Sequence, residues 1–158
     1  MSLNEEVELL RQIPMFAKVE QSKLKLLAFT SERLVFQADQ VICEQGDQGD
    51  SMYIIVDGAA DVIVNLPSGP LTVASLQKNN FFGEIAILCD VPRTATVRAS
   101  TSLTALKITK DLFYRLVSEF PLMAVEIMRE IAARLDNTTQ DLQATKNELS
   151  QLKQQSGA

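Results

Sequence analysis

Arg93 follows Glu84 by nine positions in the stretch Phe81-Phe82-Gly83-Glu84-Ile85-Ala86-Ile87-Leu88-Cys89-Asp90-Val91-Pro92-Arg93-Thr94-Ala95-Thr96-Val97-Arg98-Ala99. Gly83 permits close backbone approach, and a short helix can begin there with its first amides facing outward toward an anion. Arg93 is pinned by Pro92 and followed by two small residues, Thr94 and Ala95. A guanidinium offers a planar fork suited to phosphate, and small neighbours leave backbone amides within reach. Glycine, helix amides and arginine together make a cradle for one phosphate. A carboxylate repels phosphate, so Glu84 fits such a cradle if it accepts a hydrogen bond from a sugar hydroxyl on the same ligand. The competing reading is a β-hairpin linker carrying an exposed Glu84–Arg93 ion pair. Either residue alone favours that linker; the whole string in one place favours the cradle.

Composition narrows the chemistry further. The chain has 15 Lys and Arg against 20 Asp and Glu, a net charge of −5, which argues against a dominant nucleic-acid footprint. It has no His, which removes His general bases, His–carboxylate triads and most zinc or iron sites. An enzyme on a cupin-like barrel would lack its usual metal ligands; the reading is of a regulatory ligand-binding module, with no catalytic residue, metal or cofactor expected. The two cysteines, Cys43 and Cys89, form no CxxC pair and are expected as small buried thiols of a reducing cytosol. No apolar stretch approaches the ~18 residues that span a bilayer, and MSLNEEVELLRQ does not read as a signal peptide. The expected location is the cytoplasm.

Three zones must position these residues. Residues 1–30 read as an N-terminal helical segment, with Val7, Leu10, Ile13 and then Leu24, Leu27, Ala28 at helical spacing and Pro14 between two short helices. Residues 31–120 read as a β core followed by a short helix. Leu34–Phe36, Val41–Cys43, Met52–Val56, Ala60–Leu66, Leu71–Leu76, Ala95–Ala99 and Leu103–Ile108 are strand candidates separated by turn signals. Asp57-Gly58 reads as a hairpin turn. Seven or eight such strands predict an antiparallel sandwich or roll. A helix should start at Thr109-Lys110-Asp111, and Pro121 should divide it from a longer helix over 121–155.

That last helix carries a seam. Met128, Ile131, Leu135, Thr138, Leu142, Thr145, Leu149 and Leu152 are spaced alternately by three and four residues, a heptad pattern. Its second half, Asp141 to Lys153, is too polar for a globular core, so a partner helix in a parallel homodimeric coiled coil is expected. The two Thr positions weaken such a seam.

Gly83-Glu84-Ile85-Ala86 with Pro92-Arg93-Thr94-Ala95-Thr96-Val97 resembles the phosphate-binding cassette of cyclic nucleotide-binding domains. These domains are shared by the catabolite activator protein family, cyclic-nucleotide-dependent kinases and cyclic-nucleotide-gated channels. Glu44-Gln45-Gly46-Asp47 and Tyr53-Ile54-Ile55-Val56-Asp57-Gly58 match the family's turn glycines, and the similarity runs from about Leu9 to Leu142. The resemblance implies a mainly β, α+β fold: an antiparallel β-roll of jelly-roll type with flanking N-terminal helices and a long C-terminal dimerisation helix. It implies a regulatory module binding cAMP, or cGMP more weakly, and passing occupancy through a C-terminal lid helix with Pro121 as pivot.

By the same resemblance, amides of Gly83 and Ala86 within Gly83–Ala86, Ile85 included, face the ribose-phosphate. Glu84 accepts from the ribose 2′-OH, Arg93 pairs with the phosphate, and Thr94 and Ala95 add amides. Val62, Val73 and Ala74 line the base pocket, or are plain core hydrophobes. Ala132-Ala133-Arg134-Leu135 and the following Thr138-Thr139 resemble the dimer helix of the catabolite activator protein, where hydroxyl residues meet the adenine; Thr138 is otherwise a polar seam residue. Thr94 is compatible with either nucleotide, and the Thr pair shifts the expectation to cAMP. The catabolite activator family continues into a helix-turn-helix domain, whereas this sequence stops at Ala158. The expectation is a sensor fragment of a DNA-binding regulator, or a module that regulates something else and binds neither nucleic acid nor membrane by itself. The remaining alternative is a coiled-coil interaction module whose nucleotide site is unused.

Overall fold

The computed structural model describes residues 2–157. The chain divides after Phe120 into two compact units. The first opens with α1 (Leu3–Arg11), whose start is set by a capping box: the Ser2 hydroxyl accepts from the Glu5 amide and the Glu5 carboxylate from the Ser2 amide. Pro14 begins a single 3₁₀ turn, Pro14–Phe16, before α2 (Gln21–Thr30). Val7, Leu10, Ile13, Leu24 and Leu27 are all buried, so the helical spacing of these apolar residues marks the inward face.

Eight strands follow: β1 (Glu32–Phe36), β2 (Val41–Cys43), β3 (Ser51–Asp57), β4 (Ala60–Leu66), β5 (Gly69–Leu76), β6 (Phe81–Phe82), β7 (Thr96–Ala99) and β8 (Leu103–Thr109). They form two antiparallel four-stranded sheets ordered β1-β8-β3-β6 and β2-β7-β4-β5, the interleaved topology of a jelly-roll β-roll. Between them lies a core that includes Tyr53, Ile55, Leu76, Phe82, Val97 and Leu103. Ser51 to Val56 is buried at every position, a central strand covered on both faces.

The turn at Asp57-Gly58 does not make a hairpin. β3 pairs with β6 and β8, while β4 pairs with β5 and β7, so the turn carries the chain from one sheet to the other. The hairpin is instead β4–β5, closed where Leu66 faces Gly69. Two short apolar runs joined by Asp-Gly have the same local pattern whether they pair or part, and the core between the sheets decides. β6 escaped the strand pattern because it has only two residues.

Two helices complete the first unit. α3 (Glu84–Cys89) leaves β6, and α4 (Lys110–Glu119) follows β8 with the Thr109 hydroxyl capping the Leu112 amide. The second unit holds α5 (Pro121–Ser156), 36 residues long, which at 1.5 Å per residue is about 54 Å.

Candidate functional site

The connection from β6 to β7 crosses between the sheets, and all seven cassette residues of the sequence pattern lie on it. Tyr53 pairs with Phe82 and Ile54 with Phe81, which anchors the start of the segment to the central strand. The Tyr53 and Phe82 rings also stack, centroids 5.1 Å apart. Gly83 then caps α3 with φ of 92°, a left-handed conformation that a side chain would strain.

Arg93 returns over this turn. Its backbone amide donates to the Asp47 carbonyl at 2.8 Å, and its carbonyl accepts from the Gly46 amide at 2.9 Å, so residue 93 is clamped to the β2–β3 loop. Its Nη1 donates to the Gly83 carbonyl at 3.2 Å and its Nη2 to the Ser51 carbonyl at 2.7 Å. The guanidinium carbon lies 6.0 Å from the Tyr53 ring centroid, within cation–π range. Two glycines make room for the group. A Cβ on Gly49 would stand 2.6 Å from the guanidinium carbon, and one on Gly83 2.6 Å from Nη1.

Burial decides between the two sequence readings of this stretch. Glu84 is 2% exposed and Arg93 8% exposed, so the hairpin linker with a solvated ion pair is overturned. The segment is a helix and a turn wrapped around a buried arginine. Ala86 is buried, Gly83 and Ala95 are half-buried, and Ile85 and Thr94 are exposed, forming the rim. Thr96 is buried: its hydroxyl accepts from the Gln45 amide at 3.0 Å, and the Gln45 side chain in turn accepts from the Asn65 amide at 2.7 Å.

The charge is felt by its neighbours. Burial pushes the Cys43 thiol above its ordinary value, and the Arg93 cation partly offsets that rise. The Tyr53 phenol is raised by burial as well, again with Arg93 opposing. The expectation of two buried thiols is corrected: Cys43 is half-buried and Cys89 is exposed. Cys89 is the last residue of the six-residue α3, where it lies on the outer surface.

The remaining candidates scatter. Val62 is half-buried and packs against the core between the sheets. Val73 and Ala74 are exposed, which corrects their reading as core hydrophobes. A β-bulge explains Val73: Val62 pairs with Ala74 and Ile63 with Thr72, leaving Val73 as the extra residue. Thr138 and Thr139 belong to the other unit, on α5, where each hydroxyl donates to the carbonyl four residues earlier at 2.9 Å.

Sequence reasoning missed Gly49 and Ser51, whose role is to shape and bind the guanidinium from the β2–β3 loop and β3. A glycine within Gly46-Asp47-Gln48-Gly49 reads as a turn, and nothing local shows what packs on it. It also missed Tyr114 of α4, whose hydroxyl donates to the Ile87 carbonyl of α3 at 3.3 Å. Lys110 adds an ion pair to Asp90, just past α3, at 3.9 Å.

Residues 33–120 match the family model of the cyclic nucleotide-binding domain. The regulatory subunit of cAMP-dependent protein kinase from Schizosaccharomyces pombe is 33% identical over 121 residues, covering 77% of this chain and 28% of that protein. The chain spans about a quarter to a third of the curated relatives it matches. Among solved structures, the Thermus thermophilus catabolite activator protein superposes with a TM-score of 0.74 at 23% identity, over 84% of this chain and 63% of that one. A regulatory subunit of a cAMP-independent protein kinase A from Trypanosoma brucei superposes with a TM-score of 0.71 at 22% identity, over 82% of this chain and 47% of that one. The chain is thus similar in sequence to a subunit named for a cAMP-dependent kinase and in fold to one named for a cAMP-independent kinase, so the likeness alone does not decide the ligand.

Proposed function

The chain belongs to the cyclic nucleotide-binding domain family, and from that premise we propose that it is a non-catalytic regulatory module that binds cAMP in preference to cGMP. The observation that carries the proposal is the buried Arg93, oriented by the Gly83 and Ser51 carbonyls and fitted against two glycines. A guanidinium carries five N–H donors, more than two carbonyls use, and its fork suits a phosphate. Arg93 anchors the cyclic phosphate, Glu84 accepts from the ribose 2′-OH, and amides of Gly83 to Ala86 and of Thr94 and Ala95 complete the cradle. Val62, Val73 and Ala74 are assigned to the base, with Thr138 and Thr139 contacting its six-position; for the Thr pair the support is sequence resemblance alone.

Occupancy leaves the site through α3. The Tyr114 and Lys110 contacts tie that helix to α4, which leads into α5 by way of Pro121. A ligand that binds one arrangement of these helices better than another shifts their population, which is all a switch requires. The chain acts as a homodimer paired through residues 121–155, where Met128, Leu135, Leu142, Leu149 and Leu152 are exposed on α5.

A competition titration tests the ligand. cAMP should displace a fluorescent cyclic nucleotide at lower concentration than cGMP, and a 2′-deoxy analogue should compete poorly. Tighter cGMP binding would overturn the preference, and undiminished binding of the 2′-deoxy analogue would remove Glu84 from the ribose.

A further inference from the structure

We propose that the last third of α5 carries a charge code that makes it pair with a second copy of this chain, parallel and in register. The inference rests on the reading that the chain pairs as a parallel homodimer through α5 and adds to it the flanking charges that select that orientation and fix the register. With Met128, Leu135, Leu142 and Leu149 at the first seam position of each heptad, Ile131, Thr138, Thr145 and Leu152 take the second. From Asn137 to Gly157 there are four charged residues: Asp141, Lys146, Glu148 and Lys153. All four fall on the positions that flank the seam. Asp141 and Glu148 precede the first seam residue, and Lys146 and Lys153 follow the second.

The outward positions of the same stretch, including Gln143, Ala144, Asn147, Ser150, Gln151 and Gln154, carry no charge. A helix that only needs solvation would place its charges there. Nor do the four serve their own helix, since none has an opposite charge three or four residues away, the spacing at which helical neighbours meet. The N-terminal part of α5 differs, because Arg129 pairs there with Glu126 at 2.6 Å and Arg134 with Glu130 at 3.5 Å. Every residue from Asp141 to Gly157 is exposed.

Flanking residues of one helix meet those of a parallel partner five positions further on. Asp141 then faces the partner's Lys146, and Glu148 faces the partner's Lys153; the two-fold axis repeats both pairs. In an antiparallel pair like flanks meet, setting lysine against lysine and acid against acid. A slip of one heptad sets Arg134 against the partner's Lys146. The parallel, in-register arrangement forms four attractive pairs, whereas a one-heptad slip keeps two and adds the repulsive one, and an antiparallel pair sets like charges together.

The test exchanges all four signs in the full chain (Asp141→Lys, Lys146→Glu, Glu148→Lys, Lys153→Glu), which preserves net charge and the seam. Wild type and variant, differing in mass by a tag, are mixed as monomers by dilution, concentrated, and counted by native mass spectrometry at low salt. Each should dimerise by itself, and the mixed dimer should be under-represented on the order of tenfold, a bias that four exposed pairs can supply and that high salt should erase. Binomial mixing overturns the code while leaving the dimer standing. An excess of mixed dimer overturns the parallel orientation. A wild-type chain that is monomeric throughout overturns the pairing itself, and with it the code. Cyclic nucleotide binding by both chains, measured alongside, reports on the cassette independently.

Discussion

The cassette and the tail of α5 use charge in opposite ways. In the cassette one arginine is buried at 8% exposure and held by two carbonyls, that of Gly83 in the same stretch and that of Ser51, distant from it in sequence. In the tail every charge is exposed, and the helix supplies no neighbour of opposite sign at helical spacing. Burial makes the first charge costly to strand and hence specific for an anion. Exposure makes each tail charge individually weak, so that only their number and placement matter. A binding site can therefore rest on one residue, whereas an assembly surface of this kind cannot.

The largest expected effect breaks the comparison at its stronger end. Arg93→Ala should weaken cAMP binding by ~2–5 kcal/mol, the range for truncating one side of a buried charged pair. Lys146→Ala in the tail should leave cAMP affinity unchanged. Calorimetric titration of both variants checks the contrast, with circular dichroism confirming that each is folded. Equal losses would mean that the two regions do not differ as described.

Next comes the glycine that shapes the arginine. Gly49→Ala would place a Cβ 2.6 Å from the guanidinium carbon and 2.8 Å from the Ala86 Cβ. Overpacking of that kind should cost ~1–3 kcal/mol, appearing as lost affinity if the guanidinium moves and as a lower melting temperature if Ala86 moves. A variant unchanged in both measurements would show that the close fit around Arg93 is dispensable.

In the tail, Leu149→Ala should raise the dimer dissociation constant roughly tenfold, about 1.4 kcal/mol, with no change in intrinsic cAMP affinity. Sedimentation across a dilution series reads the first, and titration at saturating dimer concentration the second. The smallest effect concerns Cys43. Its thiol is raised above the ordinary value of 9.0, mainly by burial. The fold thus favours the protonated form, and the stability this gives is complete below the unfolded pKa and falls as pH rises toward the folded one. Cys43→Ala should flatten that alkaline decline in denaturant midpoints taken between neutral pH and about 10.

The same contrast explains how much was legible in sequence. The heptad stripe and its flanking charges are periodic along one helix, so spacing alone exposes them. Val7, Leu10, Leu24 and Leu27 were readable for the same reason. In the cassette, Gly83, Glu84 and Arg93 stood out because unusual residue types lay close together. Gly49 and Ser51 did not, because their meaning comes from which strand lies beside which. The turn at Asp57-Gly58 misled for that reason too, since the sheets that claim β3 and β4 are assembled from strands far away in sequence. Val73 is exposed through a bulge that no alternation pattern announces.

The most direct test of the central claim is to watch the Arg93 side chain while ligand is added. Its Nε–H resonance in nitrogen-15 spectra of the full chain, assigned through its loss in Arg93→Lys, should shift on addition of cAMP. Adenosine, which has the base and ribose but no phosphate, should leave it in place. A resonance that stays still while cAMP binds, or that moves equally with adenosine, would contradict Arg93 as the phosphate anchor.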